Sequence, residues 1–339
     1  MTYTVILQPS GHRYELDSGE TVLDGALRHG LILPYGCRDG ACGSCAGKLI
    51  SGTIDYPGDA PSGLADIDRN THALFCSAVA TSDIVIEVRE VVQSGDIQPH
   101  KFPCRVAKID HLANDVIRLY LKLPSSERLQ FLAGQYIDFL LRDGRRRAFS
   151  IANAPHNDEF IELHIRHVDG GEFTGFVFEQ MKEKAIQRIE GPFGSFFLRE
   201  DTDRPVVLMG GGTGFAPLKG IIEHALQLDV QRPMHLFWGV RTRADLYLPD
   251  LPPAWANDHD GFLYTPVLSE PEGNDWTGAT GWVHESVAAA YPDLRGHDVY
   301  MSGPPPMIEA AKTLFFALGL PDDRLFYDSF EYAADSQKD

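Results

Sequence analysis

The 339-residue chain is 43% hydrophobic and 23% charged, an ordinary balance for a globular protein of two or three domains. Its formal net charge of −18 offers no basic face to a phosphate backbone, which argues against nucleic acid as a partner and leaves a surface able to steer a basic protein. No apolar run reaches the ~20 residues that span a bilayer, and the opening MTYTVILQPSGHRYEL reads as a strand pair and not as a leader, so the expectation is a cytoplasmic protein without membrane insertion.

Taken in chain order, YTVILQ and HRYELD alternate and flank Pro9-Ser10-Gly11, the pattern of a hairpin. TVLDGALRHG spaces Val22, Leu23, Ala26 and Leu27 as on a helix and stops at Gly30. CAGKLISGTID and DIVIEVREV read as further strands, and PGDAPSGLADIDRN as a loop with one helical turn. QSGDIQPHK (93–101) is polar, holds Gly and Pro, and reads as a linker. From 102 to 200 short strands dominate: CRVAKIDHLA, VIRLYLKL, QYIDFLL, AFSIAN, IELHIRHV and IQRIEG, interrupted by a helical TGFVFEQM. That spacing suggests a barrel or sandwich. REDTDRP marks a second boundary. From 204 to 332 strands and helices alternate (VVLMG, FAPLKGIIEHAL, MHLFWG, FLYTPVL, VHESVAAAY, DVYMSG, PPMIEAAKTLFFAL, RLFYDSF), the pattern of a parallel α/β sheet, and 333–339 form a tail.

Three of only five cysteines fall in YGCRDGACGSC: Cys37, Cys42 and Cys45 give C-x4-C-x2-C, and Cys76 follows after 30 intervening residues. In a reducing compartment such a cluster binds metal more often than it forms disulfides, and this is the plant-type [2Fe–2S] spacing. Small residues (Gly36, Gly40, Ala41, Gly43, Ser44) let the backbone wrap closely enough for its N–H groups to reach sulfur, and Arg38 offers a cation to an anionic cluster. The alternative is a four-cysteine zinc site, which usually pairs its ligands as two C-x2-C units; here there is one. Cys104, in a strand-like run, reads as a packing cysteine.

On Tyr35–Cys45 and LFC at 74–76, residues 1–92 resemble plant-type ferredoxins of β-grasp fold. RRRAFSIAN resembles the R-x-Y-S strand of the ferredoxin–NADP reductase superfamily. That resemblance implies Arg147 on the flavin phosphate, Phe149 packed on the flavin in place of tyrosine, and Ser150 near the reactive ring nitrogen. Twenty residues beyond Ser150, Gly170, Gly171 and Thr174 open a helix where the family cradles the flavin pyrophosphate, and helix N-termini do bind anions. Such a second segment implies FAD over FMN. Arg166, and more weakly His164 and His167, flank it. EGPFGSFFL is similar to the family's barrel-closing turn.

VVLMGGGTGFAP joins a strand to a helix through Gly210, Gly211, Gly212, Thr213 and Gly214, as close approach to a pyrophosphate requires, although no acidic residue stands where a Rossmann fingerprint has one. YMSGPPPM is similar to the family's C-G-P-x-x-M segment beside the nicotinamide, with Ser302 for cysteine followed by Gly303 and Pro304. Arg241 and Arg243 lie where the family meets the adenosine end; with Asp245 close by, NADH is favoured and NADPH left open. Phe330 is the candidate for the C-terminal aromatic that covers the flavin ring.

In order, the three modules resemble the reductase components of bacterial multicomponent oxygenases, in a subgroup that also contains glucoseen reductases of deoxysugar synthesis. The resemblance implies a β-grasp ferredoxin domain, an antiparallel flavin-binding β-barrel and a parallel-sheet nicotinamide-binding domain. It also implies electron flow from NADH through FAD and a [2Fe–2S] cluster, because a two-electron donor and a one-electron acceptor need a flavin between them. Ser150, Ser302 and Phe330 are the residues expected at the reacting rings. The partner is an electron-accepting protein, either an oxygenase or hydroxylase or an iron–sulfur dehydratase. A redox-sensing carrier without nicotinamide turnover is the reading of a different class.

Overall fold

The computed structural model describes residues 2–88, 92–93, 97–273 and 275–331. The expected tail at 333–339 and residues 94–96 of the expected linker lie outside them. The chain divides into two compact units, one holding the first 99 residues with Phe193–Ser195, the other holding His100–Pro192 and the chain from Phe196 onward.

In the first unit Tyr3–Gln8 and Arg13–Leu16 form the expected hairpin. Tyr3–Gln8 then runs parallel to Ile84–Glu87, which continues through Ala46–Ser51 to His72–Leu74, making a mixed five-stranded sheet. Helix Val22–Arg28 packs Val22, Leu23 and Ala26 into the core. Thr21 starts it, its Oγ1 accepting the Asp24 N–H at 3.1 Å. Gly25 faces Leu16 so closely that a Cβ would stand 2.3 Å from the leucine side chain, which explains a glycine inside a helix. A parallel central pair gripping one helix is the β-grasp arrangement. Strand Val92–Gln93 pairs with Leu31–Ile32, and the second unit's first strand begins at His100. The segment read as a linker therefore has strand residues at both of its ends.

The second unit holds two sheets. The first is six-stranded, in the order Arg146–Ser150, Tyr136–Leu140, Ile186–Phe193, His100–Ala113, Val116–Lys122, Ile161–Arg166. Arg146–Ser150 with Tyr136–Leu140, Ile186–Phe193 with His100–Ala113, His100–Ala113 with Val116–Lys122, and Val116–Lys122 with Ile161–Arg166 all pair antiparallel. Just past one edge strand, Ile151 bridges Leu163 on the other, and the Ala152 N–H donates to the Glu162 carbonyl at 2.8 Å, so the sheet curls back on itself as a barrel does. Its interior is Val106, Leu119, Ile137, Phe139, Leu163 and Ile189 with their neighbours. Cys104 is buried among them and burial pushes its thiol up to about 12, as suits a packing residue.

The second sheet is parallel throughout, in the order Ala279–Thr280, Phe262–Leu268, Met234–Val240, Val206–Gly211, Asp298–Gly303, Leu325–Ser329. Both faces are covered, which is why its strands read as continuous apolar runs. Phe215, Leu218, Trp238, Trp255 and Tyr300 fill one side; Met209, Phe237, Val287, Ile308 and Phe315 fill the other. The sequence reading passes over helix Leu251–Asp258, because Pro252 and Pro253 look like loop until they are seen in its first turn, where their missing N–H costs nothing. Among the described residues no helix is long and apolar enough to cross a membrane.

Candidate functional site

In the first unit the loop after Leu31–Ile32 wraps back on itself through Arg38, Gly40 and Gly43, with φ of 64°, 81° and 71°. The wrap brings the four cysteines together as two pairs. The Cys37 N–H lies 3.4 Å from Cys42 Sγ and the Cys42 N–H 3.4 Å from Cys37 Sγ, while the Cys45 and Cys76 sulfurs are 3.2 Å apart. Cys45 and Cys76 are buried and the other two half-buried. Within each pair the thiols hold opposite ends of one hydrogen bond, so Cys37 and Cys45 are pushed up and Cys42 and Cys76 down. A Cβ at Gly36 would stand 3.2 Å from Cys42 Sγ, and one at Gly63 2.7 Å from the Gly40 carbonyl. Two facing pairs of cysteines, two N–H groups directed at sulfur and glycines at the points of closest approach suit a cluster of two irons, one to each pair of thiolates. Arg38, expected to offset the cluster's charge, ion-pairs with Asp24 at 2.9 Å.

In the second unit the nicotinamide motifs converge. The chain leaves Val206–Gly211 toward one edge of the parallel sheet and returns at Asp298–Gly303 on the other side of it, and a crevice forms at the carboxyl ends of such a strand pair. Gly212, Thr213 and Gly214 form a single turn ahead of helix Phe215–Gln227. Gly214 lies so close to the neighbouring segment that a Cβ would be 1.9 Å from the Ser302 carbonyl. Gly211 faces Met307, and Pro304 caps helix Pro305–Ala317. Ser302 is fully buried and its hydroxyl has no hydrogen-bond partner among the described residues. Phe330 is half-buried and its N–H donates to the Gly303 carbonyl at 2.9 Å.

The flavin motifs lie on the barrel. Arg147, Phe149 and Ser150 share the edge strand Arg146–Ser150. The Phe149 ring lies against Phe139 and Phe173, with centroids 5.7 and 5.6 Å away. An Arg147 guanidinium N–H donates to the Arg146 carbonyl at 2.8 Å. Gly170 has φ 78° and Gly171 precedes helix Glu172–Glu179. Thr174 is engaged locally, its hydroxyl accepting the Val168 N–H at 3.1 Å. Arg166 ends its strand 3.2 Å from Asp115, with Nη2 buried and without a hydrogen-bond partner among the described residues, and Nη1 lies 2.9 Å from where a Gly212 Cβ would be. An unsatisfied guanidinium beside a glycine loop fits a phosphate. Arg241 stays 63% exposed, 3.9 Å from Asp245.

Family models match consecutive stretches of the chain: a 2Fe-2S iron-sulfur cluster binding domain over 5–81, an oxidoreductase FAD-binding domain over 103–198 and an oxidoreductase NAD-binding domain over 208–313. The chain is 40% identical to the CDP-6-deoxy-L-threo-D-glycero-4-hexulose-3-dehydrase reductase of Yersinia pestis, over 97% of this chain and 99% of that protein. The chain belongs to the iron–sulfur flavoprotein reductases. It is 35% identical to the reductase component of a Pseudomonas phenol 2-monooxygenase, over 99% of this chain and 96% of the relative. Among solved structures, an Amycolatopsis cytochrome P450 reductase superposes with a TM-score of 0.81 at 32% identity, over 97% of this chain and 98% of that one. This reductase is thus an oxidoreductase with iron–sulfur, FAD-binding and NAD-binding domains in that order.

Two features of the reductase escaped the sequence reading. Ser150 donates to Asp328 Oδ2 at 3.0 Å, and Asp328 is the register partner of Ser302 across two parallel strands, so the carboxylate that holds the flavin-motif serine stands on the strand beside the nicotinamide motif. His164, placed near the flavin by sequence, is fully buried in a polar bridge. Its ring nitrogens meet the Tyr247 hydroxyl at 3.0 Å and Glu162 at 2.8 Å. Lys219 lies 3.4 Å from Glu162 and 3.0 Å from Glu223. Burial pushes the Glu162 carboxyl up, but the His164 hydrogen bond and the Lys219 charge outweigh it and hold the group down at about 2. Burial lowers His164. The sequence signal for this bridge was polar residues at isolated positions, Glu162 and His164 alternating with Ile161, Leu163 and Ile165 in one strand and Lys219 in an apolar stretch of helix.

Proposed function

We propose that the chain takes electron pairs from NADH and passes them singly, by way of FAD and a [2Fe–2S] cluster, to a partner protein, and that the partner is an oxygenase or hydroxylase. What supports the reading is the meeting of Ser150, Asp328 and Ser302 in one unit and of four sulfurs in the other. When bound, FAD accepts two electrons and releases them one at a time, and the cluster carries one.

The chain's own residues bind and orient. Cys37, Cys42, Cys45 and Cys76 hold the cluster. The backbone of Gly170 and Gly171 and the guanidinium of Arg166 take the flavin pyrophosphate, with Arg147 and Thr174 beside them. Gly211, Gly212, Thr213 and Gly214 admit the nucleotide pyrophosphate, and Gly303 and Pro304 border the nicotinamide. Phe149 and Phe330 bound the flavin ring. Asp328 fixes the direction of the Ser150 hydroxyl, and Ser302 brings a second hydroxyl to the same strand ends. Arg241, paired with Asp245, favours NADH. No proton has to move at a side chain for the nicotinamide step, because the hydride leaves and arrives as a unit. The reading sets the protein in the cytoplasm, where thiols stay reduced.

A second acceptor, an iron–sulfur dehydratase of deoxysugar synthesis, is favoured by the Yersinia relative, a hexulose-dehydrase reductase over nearly its whole length. The test is the visible spectrum of the purified protein during NADH titration. Overlapping flavin and iron–sulfur bands should bleach together, and Cys42→Ser should remove the iron–sulfur bands while NADH still reduces the flavin. A protein colourless after reconstitution with iron, sulfide and FAD overturns the reading. Assays with an oxygenase and with a dehydratase as acceptor separate the two partners.

A further inference from the structure

We propose that Ser44 and Ser77 raise the reduction potential of the cluster, one hydroxyl serving each pair of cysteine sulfurs. The inference rests on the reading that Cys37, Cys42, Cys45 and Cys76 hold that cluster. Ser44 Oγ lies 3.4 Å from Cys42 Sγ and Ser77 Oγ 3.5 Å from Cys76 Sγ. Cys42 belongs to one pair and Cys76 to the other, so each pair has one hydroxyl.

Both hydroxyls occupy space that a glycine leaves open. A Cβ at Gly36 would stand 3.3 Å from Ser44 Oγ, and one at Gly40 would stand 2.8 Å from Ser77 Oγ. Gly40 is also fixed from behind: its carbonyl accepts the Gly63 N–H at 2.9 Å, and a Cβ on it would meet Pro61 at 2.5 Å. A glycine of the one cysteine loop thus makes room for each serine, although the two serine–cysteine pairs lie far apart in the chain.

The direction of these contacts follows from protonation. As a thiol, Cys42 donates to Ser44. As a thiolate ligand it has no proton, and only the hydroxyl can donate. A hydrogen bond to sulfur strengthens as negative charge collects there, so it favours the reduced cluster over the oxidised one. The serines act through the sulfurs they touch, as positioning residues.

The test is a redox titration of the full-length protein carrying FAD and cluster, followed by visible absorption and electron paramagnetic resonance. Ser44→Ala and Ser77→Ala should keep the iron content and the visible spectrum of the wild type. At a fixed poise their ratio of reduced to oxidised cluster should fall by about threefold to tenfold, tenfold being about 59 mV for a one-electron couple. The double variant should fall further, and Ser44→Thr and Ser77→Thr, which keep the hydroxyl, should titrate with the wild type. Alanine variants that titrate with the wild type overturn the proposal. So does an alanine variant that no longer assembles a cluster, since that assigns the serine to assembly. A wild type without iron–sulfur signals defeats the cysteine reading itself, whereas a normal wild type with unshifted variants defeats this inference alone.

Discussion

Ser150 and Asp328 are 178 positions apart in the chain and 3.0 Å apart in the fold. The carboxylate accepts a hydrogen bond from the serine hydroxyl, so the hydroxyl has one direction where a free one would have three. Orientation of this kind is worth most at a reacting centre, where small misplacements cost large factors in rate. Ser150→Ala should slow flavin reduction by NADH on the order of 10²-fold. Asp328→Ala, which keeps the hydroxyl and frees its rotation, should cost about tenfold. Both are read by stopped-flow absorbance of the flavin. A loss larger for Asp328→Ala than for Ser150→Ala would show the carboxylate acting on its own account. Ser150 was legible because it stands in a short motif. Asp328 was not, because a lone acid near the end of a strand has no signature until its partner is known.

At the scale of elements, the parallel sheet's first turn is tied to the strand beside it with almost no clearance. Gly214→Ala would force a Cβ toward the Ser302 carbonyl, where 1.9 Å is available. Overpacking of this kind costs about 1–3 kcal/mol, so a lower urea midpoint and weakened NADH-driven flavin reduction should appear together. On the opposite face of the sheet His235 is held between the Tyr291 hydroxyl at 2.9 Å and Thr265 at 2.8 Å, and burial lowers its pKa from 6.5 to about 4. The unfolded chain takes up that proton first on acidification, so the stability His235 contributes is present above pH 6.5 and is lost as pH falls toward 4. Thermal unfolding between those values should steepen with acid, and His235→Gln should flatten part of the slope. The elements themselves were largely legible. Apolar runs of the right length gave the strands, and Gly30 ended its helix as read. What periodicity did not carry was which way an edge strand turns its side chains: the Phe149 ring lies against Phe139 and Phe173 because the curl of the barrel decides that face. Helix Leu251–Asp258 was lost for the opposite reason, its prolines masking a start that they in fact favour.

For the whole molecule, a formal charge of −18 is the property most open to a partner. A basic acceptor should be drawn in faster than diffusion of neutral bodies allows, and salt should screen the attraction. Reduction of cytochrome c, a basic acceptor, should therefore slow as ionic strength rises, while flavin reduction by NADH in the same protein stays level. Equal slopes for both would argue that salt disturbs the enzyme itself. The modular order of the chain was readable from motifs in each third of it. The buried bridge of Glu162, His164, Lys219 and Tyr247 was not, since it joins a barrel strand to a helix and a connecting segment that only the folded second unit brings together.

Trp238 is fully buried, stacked on Phe215 with ring centroids 4.0 Å apart, and its indole N–H donates to the Gly212 carbonyl at 2.9 Å. An indole wired in this way to the glycine turn is a native optical probe. Any ligand that draws on that turn alters the polarity and hydrogen bonding felt by the ring, so the colour and lifetime of its emission should register nucleotide arrival without a dye or a label.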